Sequence, residues 1–194
     1  EYILLEHFID DIDPGVEEML ATYIRNRQNE EGGWPLFFDG NVDLSASVKA
    51  YHALKCVGDD SEAPHMRSAR AAILARGGAA RCNVFTRITL ALFGQLPWRS
   101  VPLMPLEIML LPRWSPFHLD KVSYWSRTVI VPLLILMSRR PMATNPRGTG
   151  IAELLASDPK RPRKYVINPT GAVLGTLFLA SIAPCGWRAR SRRG

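Results

Sequence analysis

Along most of this chain apolar residues recur at intervals of three and four, the spacing of helices that bury one face. Tyr2, Leu5, Phe8 and Ile9 share such a face and predict a first helix. Asp13-Pro14 then offers an N-cap followed by proline at the first helical position, and Glu17 and Glu18 suit the positive end of the helix dipole. Val16, Met19, Leu20, Tyr23 and Ile24 form the stripe of this second helix, which is expected to end near Gly32-Gly33. A third helix is predicted from about Asp43, with Leu44, Val48, Tyr51 and Leu54 facing inward. A fourth runs from about Ala63 to Arg76, ahead of Gly77-Gly78, and a fifth follows Asn83 and stops at Gly94.

Prolines recur between Pro97 and Pro116, where short turns are expected. The longest helical pattern spans about Leu119 to Met137, and Pro132 inside it frees the carbonyl of Thr128. Its uninterrupted apolar run, Val129 to Met137, falls short of the roughly 20 residues a bilayer requires. From Arg139 to Thr170 the chain is polar, basic and proline-rich, with one helical patch near Ile151 to Ala156. Gly171 to Ile182 suits a last helix, and the stretch from Pro184 onward has no period. Strand signals are scarce. The pattern predicts an all-α domain in three parts: a helical body over 1–138, a basic connection and last helix over 139–182, and an unstructured, non-native tail over 183–194.

The 194 residues suffice for one domain with its own core, and a mean hydropathy of −0.02 excludes wholesale disorder. The net charge of +6 is unevenly placed. Residues 1–138 hold 13 basic and 16 acidic side chains, whereas residues 139–194 hold 11 basic and two acidic ones. A basic patch of that kind binds nucleic acid or anionic lipid in some proteins, but here no aromatics are interleaved with it. A solvated loop and loose tail without a nucleic-acid partner is the reading adopted. Cys56, Cys82 and Cys185 are scattered, which suits a reduced, cytosolic compartment better than a disulfide framework. No signal-peptide pattern opens the sequence, and its first residue, Glu1, is read as the start of a fragment or a processed piece. His7, His52, His65 and His118 are not spaced as metal ligands and are expected to cap, pack or lie in solvent. No serine lies in a nucleophile elbow and no glycine-rich loop matches a phosphate cradle.

The most informative segment is Gln28-Asn29-Glu30-Glu31-Gly32-Gly33-Trp34, followed by Asp43-Leu44-Ser45-Ala46-Ser47. Glycine permits a left-handed turn, and the indole can cover that turn and stack on the Gln28 amide. A capped helix beside a surface aromatic is the plainer alternative. The segment resembles the Gln-x-x-x-Gly-x-Trp repeat of triterpene cyclases. Later blocks extend the resemblance to squalene–hopene cyclases: Val84-Phe85-Thr86-Arg87, Pro97-Trp98, Pro105-Leu106-Glu107-Ile108-Met109 and Ser123-Tyr124-Trp125-Ser126-Arg127. The likeness runs from Glu1 to about Ala180.

The resemblance implies a partial α/α toroid of inner and outer helices, one of two such barrels in the full enzyme. It implies conversion of squalene to hopene or hopanol in hopanoid biosynthesis, without a cofactor or metal. It places Trp125 and Phe85 on the wall of the substrate cavity, where aromatic faces stabilise carbocations, although from spacing alone either could be a plain core residue. Trp98 and Trp114, among prolines, are expected to pack. Glu1 matches a carboxylate at the polar end of the cavity, and Lys49 and Asn83 match an acid and an arginine of some members. A Glu1–Lys49 pair, or a mere surface pair, is therefore expected. The full protein would lie on the cytoplasmic face of the inner membrane, peripherally bound, with a homodimer as a further expectation.

The chain departs from the family twice. The proton-donating Asp-x-Asp-Asp motif has no counterpart, since Asp10-Asp11-Ile12-Asp13 and Asp59-Asp60 read as solvated turn residues. Pro184 to Gly194 reads as foreign or out-of-frame sequence. The isolated chain is accordingly expected to be inactive. The rival readings are a non-catalytic lipid-binding helical module, another toroid enzyme such as a prenyltransferase or diterpene cyclase, and a membrane or nucleic-acid anchor in the basic tail.

Overall fold

A computed structural model describes residues 1–102, 109–115 and 118–155. Six α-helices form the framework: α1 (Tyr2–Ile9), α2 (Pro14–Asn26), α3 (Leu44–Val57), α4 (Pro64–Ala75), α5 (Val84–Leu92) and α6 (Tyr124–Arg139). Among the described residues the sole β pairing is an antiparallel bridge between Pro35 and Val42. The domain is all-α, as the periodicity predicts. The proposed helix over 171–182 and the tail over 183–194 lie outside the described residues.

Caps set most of the boundaries. Asp13 Oδ1 accepts from the Gly15 and Val16 amides, and Pro14 needs no donor in the first turn. Asp43 Oδ1 accepts from the Ala46 amide at 2.7 Å, and Asn83 Oδ1 accepts from the Thr86 amide at 2.9 Å. Gly58, at φ +117°, ends α3 in the left-handed conformation that glycine adopts without strain. The longest helix begins at Tyr124 rather than at Leu119, because Leu119–Lys121 forms a separate 3₁₀ turn and the Ser123 hydroxyl caps the helix proper.

α3 is the hub. Val48, Tyr51 and Leu54 are fully buried, as predicted, and meet Met66, Ala69 and Ile73 from α4. At roughly 1.5–3 kcal/mol for each large side chain withdrawn from water, these contacts dominate local stability. Ile3 and Leu4 of α1 pack with Ala53 and Cys56 of α3 and with Phe93 just beyond α5. A third cluster joins Ile88 and Ala91 of α5 to Met137 of α6.

Hydrogen bonds between chain-distant residues define directions. Glu1 at the start of α1 meets Lys49 in the first half of α3, and the Asn83 amide, entering α5, donates to Ser45 Oγ at the start of α3. α1, α3 and α5 therefore run parallel, whereas α2 and α4 return between them. None of the described helices is long and apolar enough to cross a membrane.

Three predicted details are overturned. In α1 the inward residues are Ile3, Leu4, Glu6 and His7, whereas Tyr2, Leu5 and Ile9 are more than half exposed. Both faces of α1 are apolar enough to pass for the core face, and the true one is disguised by Glu6 and His7. In α2 only Glu17 and Ala21 are fully buried, and Met19 and Tyr23 lie in solvent. This helix ends at Asn26, and a turn carries the chain on to Gly33. Trp114 is exposed rather than packed, but Trp98 does lie against the α5–α6 cluster.

Candidate functional site

The turn that follows α2 shows why its residue types are needed. Gln28 Nε2 donates to the Gly32 carbonyl at 2.7 Å and to the His65 carbonyl at 2.9 Å, tying the turn to the start of α4. Gly32 has φ +81°, and a Cβ there would sit 2.8 Å from the backbone carbonyl of Ser68. At Gly33 an added methyl would run into Val42. Trp34 is buried; its Nε1 donates to the Ile24 carbonyl at 2.8 Å, and its amide donates to Ser47 Oγ at 2.9 Å. The motif is a brace that binds the end of α2 to the starts of α3 and α4.

Two further residue sets were singled out by sequence. Lys49 Nζ donates to Glu1 Oε1, so the anticipated pair forms. The bond and charge of Lys49 hold the Glu1 carboxyl below its ordinary value. Glu1 remains largely exposed. Asn83 spends its side chain on capping α5. Glu1, Lys49 and Asn83 thus lie toward the N-terminal ends of the three parallel helices.

Phe85 is the second residue of α5 and 58% exposed; Trp125 is the second residue of α6 and 79% exposed. Tyr124 and Trp125 meet edge to face, with ring centroids 5.9 Å apart. Among the described residues no ring contact joins Phe85 to Trp125. Both aromatics stand clear of the packed clusters on this chain.

An open groove of about 880 Å³ lies elsewhere, between α2 and the loop over 35–40. Its rim carries the exposed side chains of Leu36, Phe37 and Phe38, with the Arg27 guanidinium 5.2 Å from the Tyr23 ring centroid and 5.8 Å from that of Phe38. Glu1, Lys49, Asn83, Phe85 and Trp125 do not line it. Among the described residues no group of three or more His, Cys, Asp and Glu side chains is placed to hold a metal ion.

Several polar centres escaped the sequence reading. Asp59, expected in solvent, is half-buried, its side chain 8% exposed, and takes a forked pair from Arg25, at 3.0 and 2.6 Å, and a bond from His65 at 2.8 Å. Burial pushes its pKa up, but these partners outweigh that and hold it below the ordinary aspartate value. Glu153 accepts from Tyr51 Oη and from Lys55. At the C-terminal ends of α1 and α3, buried Glu17 is bound by His7 and Arg147. The Arg25–Asp59, Tyr51–Glu153, Lys55–Glu153 and Arg147–Glu17 partners are 34 to 130 residues apart in sequence and leave no local spacing to detect. His52 is fully buried in α3, edge-on to Phe93 with centroids 4.9 Å apart, and burial chiefly lowers its pKa to about 4.

Parallel helices alternate with returning ones, and one Gln/Trp-braced turn joins α2 to α3 and α4. Comparison with known proteins places that arrangement. The family described as squalene-hopene cyclase N-terminal domain matches residues 1–184, and the chain belongs to this family of α/α toroids. It is 55% identical over 161 residues to the squalene–hopene cyclase of Bradyrhizobium diazoefficiens, covering 82% of this chain and 24% of that protein. It is 55% identical over 159 residues to the Zymomonas mobilis enzyme, covering 81% and 24%. With the Alicyclobacillus acidocaldarius enzyme it shares 38% over 164 residues, covering 84% and 26%. The chain spans about a quarter of the length of these relatives.

Proposed function

We propose that this chain is part of a squalene–hopene cyclase, an intramolecular transferase of the isomerase class that converts squalene to hopene or hopanol. The observation that carries the reading is 55% identity across 82% of the chain to a relative of that name, of which it spans 24%. Cyclisation of a flexible polyene needs a strong acid, a mould that pre-organises the rings, and walls that tolerate cations. The sequence holds no Asp-x-Asp-Asp block, so the proton comes from another part of the parent protein. This piece contributes mould and wall.

Phe85 and Trp125 suit the wall because their helices hold them away from the three packed clusters. Each desolvated aromatic face is worth about 2 kcal/mol to a nearby cation. Their exposure here is that of a surface which the remainder of the parent would cover. Glu1, Lys49 and Asn83, at the N-terminal ends of the parallel helices, suit the polar end of the cavity, where water meets the terminal cation. The complete protein would act as a peripheral enzyme on the cytoplasmic face of the inner membrane, and homodimer formation belongs to the same reading.

The test is product analysis with squalene. The isolated chain should form no hopene, whereas the same chain joined to the remainder of a relative should form it. In the joined enzyme Trp125→Ala should lower turnover by ~10-fold or more and release incompletely cyclised products. Robust hopene formation by the isolated chain would overturn the assignment of the acid elsewhere. A joined protein that binds squalene without converting it would favour a lipid-binding module.

A further inference from the structure

Beyond α6 the chain leaves the helical pattern at Arg140, whose φ of +47° turns it back across the bundle. Residues 141–151 form no helix, yet three of their amides are spent on helix ends. The Ala143 amide donates to the Leu92 carbonyl at the end of α5. The Thr144 and Asn145 amides donate to the Phe8 and His7 carbonyls at the end of α1. Gln95 links the far side, donating to the Thr149 carbonyl and accepting from the Ile151 amide. The segment is a strap across the C-terminal ends of the parallel helices, opposite the end that carries Glu1.

At its middle sits Arg147. One guanidinium nitrogen donates to the Cys56 and Val57 carbonyls, 2.5 and 2.6 Å away, at the end of α3, where the helix dipole favours a cation. The two terminal nitrogens also fork onto Glu17, at 3.1 and 3.0 Å. Glu17 Oε1 in turn lies 2.7 Å from His7 Nε2. Glu17 and His7 are buried, whereas Arg147 is reached by solvent. One side chain thus closes onto α2 and α3 while its neighbours close onto α1 and α5.

We propose that Arg147 is the latch of this strap: its fork onto Glu17 holds residues 141–149 shut over the ends of α1, α3 and α5, and this stretch, anchored at Ile151 in the core, opens as a unit when the fork is lost, without unfolding the body. The inference is independent of the reaction assigned above. Arginine is required for it, because a lysine can satisfy the charge of Glu17 but not a fork and two carbonyls at once. Local opening of a few contacts below the global unfolding limit is how such units behave.

Amide hydrogen exchange on the full 194-residue chain tests the latch. In Arg147→Ala the amides of Ala143, Thr144 and Asn145 should exchange at least ~10-fold faster, with the buried α3 and α4 amides unchanged. Arg147→Lys should show the same pattern with a smaller increase, and it carries the test if the alanine variant does not fold. Glu17→Gln should also open the strap, and the double variant with Arg147→Ala should open it no further than the stronger single one. Unchanged strap exchange in both Arg147 variants would overturn the proposal. So would equal acceleration of the strap and α3, which would make Arg147 an ordinary contributor to global stability.

Discussion

α3 and α6 are both long helices, and α6 is the more apolar of the two, yet eight of fourteen residues are buried in α3 and only two of sixteen in α6. α3 has α1, α2, α4 and α5 around it, whereas the described neighbours of α6 lie on its α5 side. Tyr124, Trp125, Val129 and Ile135 consequently face solvent. The contrast shows that burial is conferred by neighbours rather than by composition. In a closed toroid the open face of α6 is where the next elements would pack, which is consistent with a chain covering a quarter of its relatives' length.

The comparison can be pressed hardest through core truncation. Leu54→Ala should cost about 2–5 kcal/mol in denaturant unfolding, since the emptied site in α3 is enclosed on all sides. Ile135→Ala in α6 should shift stability by no more than about 0.5 kcal/mol. A comparable loss at both positions would mean that the open face of α6 is covered in solution.

A second effect belongs to α3 alone. With a pKa of about 4 in the fold against an ordinary 6.5, His52 binds fewer protons folded than unfolded between those values. Stability therefore rises with pH across that window, and acidification from 6.5 to 4 should remove roughly 3 kcal/mol. Glu17, Asp59 and Glu153, all held below their ordinary values, add their losses at lower pH, as it falls through their folded pKa values. Neither ring nitrogen of His52 has a hydrogen-bond partner among the described residues. His52→Leu should flatten the slope between pH 6.5 and 4 and raise neutral-pH stability by about 1 kcal/mol, as thermal melts at several pH values would show.

Caps give a smaller and more even contrast. Asp43→Ala should destabilise α3 by about 1 kcal/mol and lower global stability accordingly. Ser123→Ala should cost a similar amount locally in α6, seen as fraying of its first turn in hydrogen exchange with little change in the global melt. A small effect should also come from Glu1→Gln, because the exposed Glu1–Lys49 pair is worth less than about 1 kcal/mol. A larger loss would give that pair a structural role the exposed geometry does not suggest.

Local chemistry was legible wherever it acts within a few residues. Asp13, Asp43 and Asn83 cap the helices they precede, the inward face of α3 follows its period, and Gly32 and Trp34 meet the demands of one tight turn. The identity of the family was readable from ordered blocks of the same kind. What spacing could not choose was which of two apolar faces of α1 turns inward. That choice rests on Glu6 and His7, buried residues whose polarity is met in part by the Asp13 amide and by Glu17, at the start of the next helix.

The sequence by itself determined most helix boundaries, the start of α6 and the end of α2 excepted, because caps, glycines and prolines act on backbone groups one turn away. Only the tertiary structure decided which polar groups are buried, which aromatics stand free, and how residues 141–151 bind four helices, two through Arg147 and two through backbone amides. The physical reason is that a buried charge is settled by partners brought together in space, and the residues linking Glu17 to Arg147 carry no trace of that meeting.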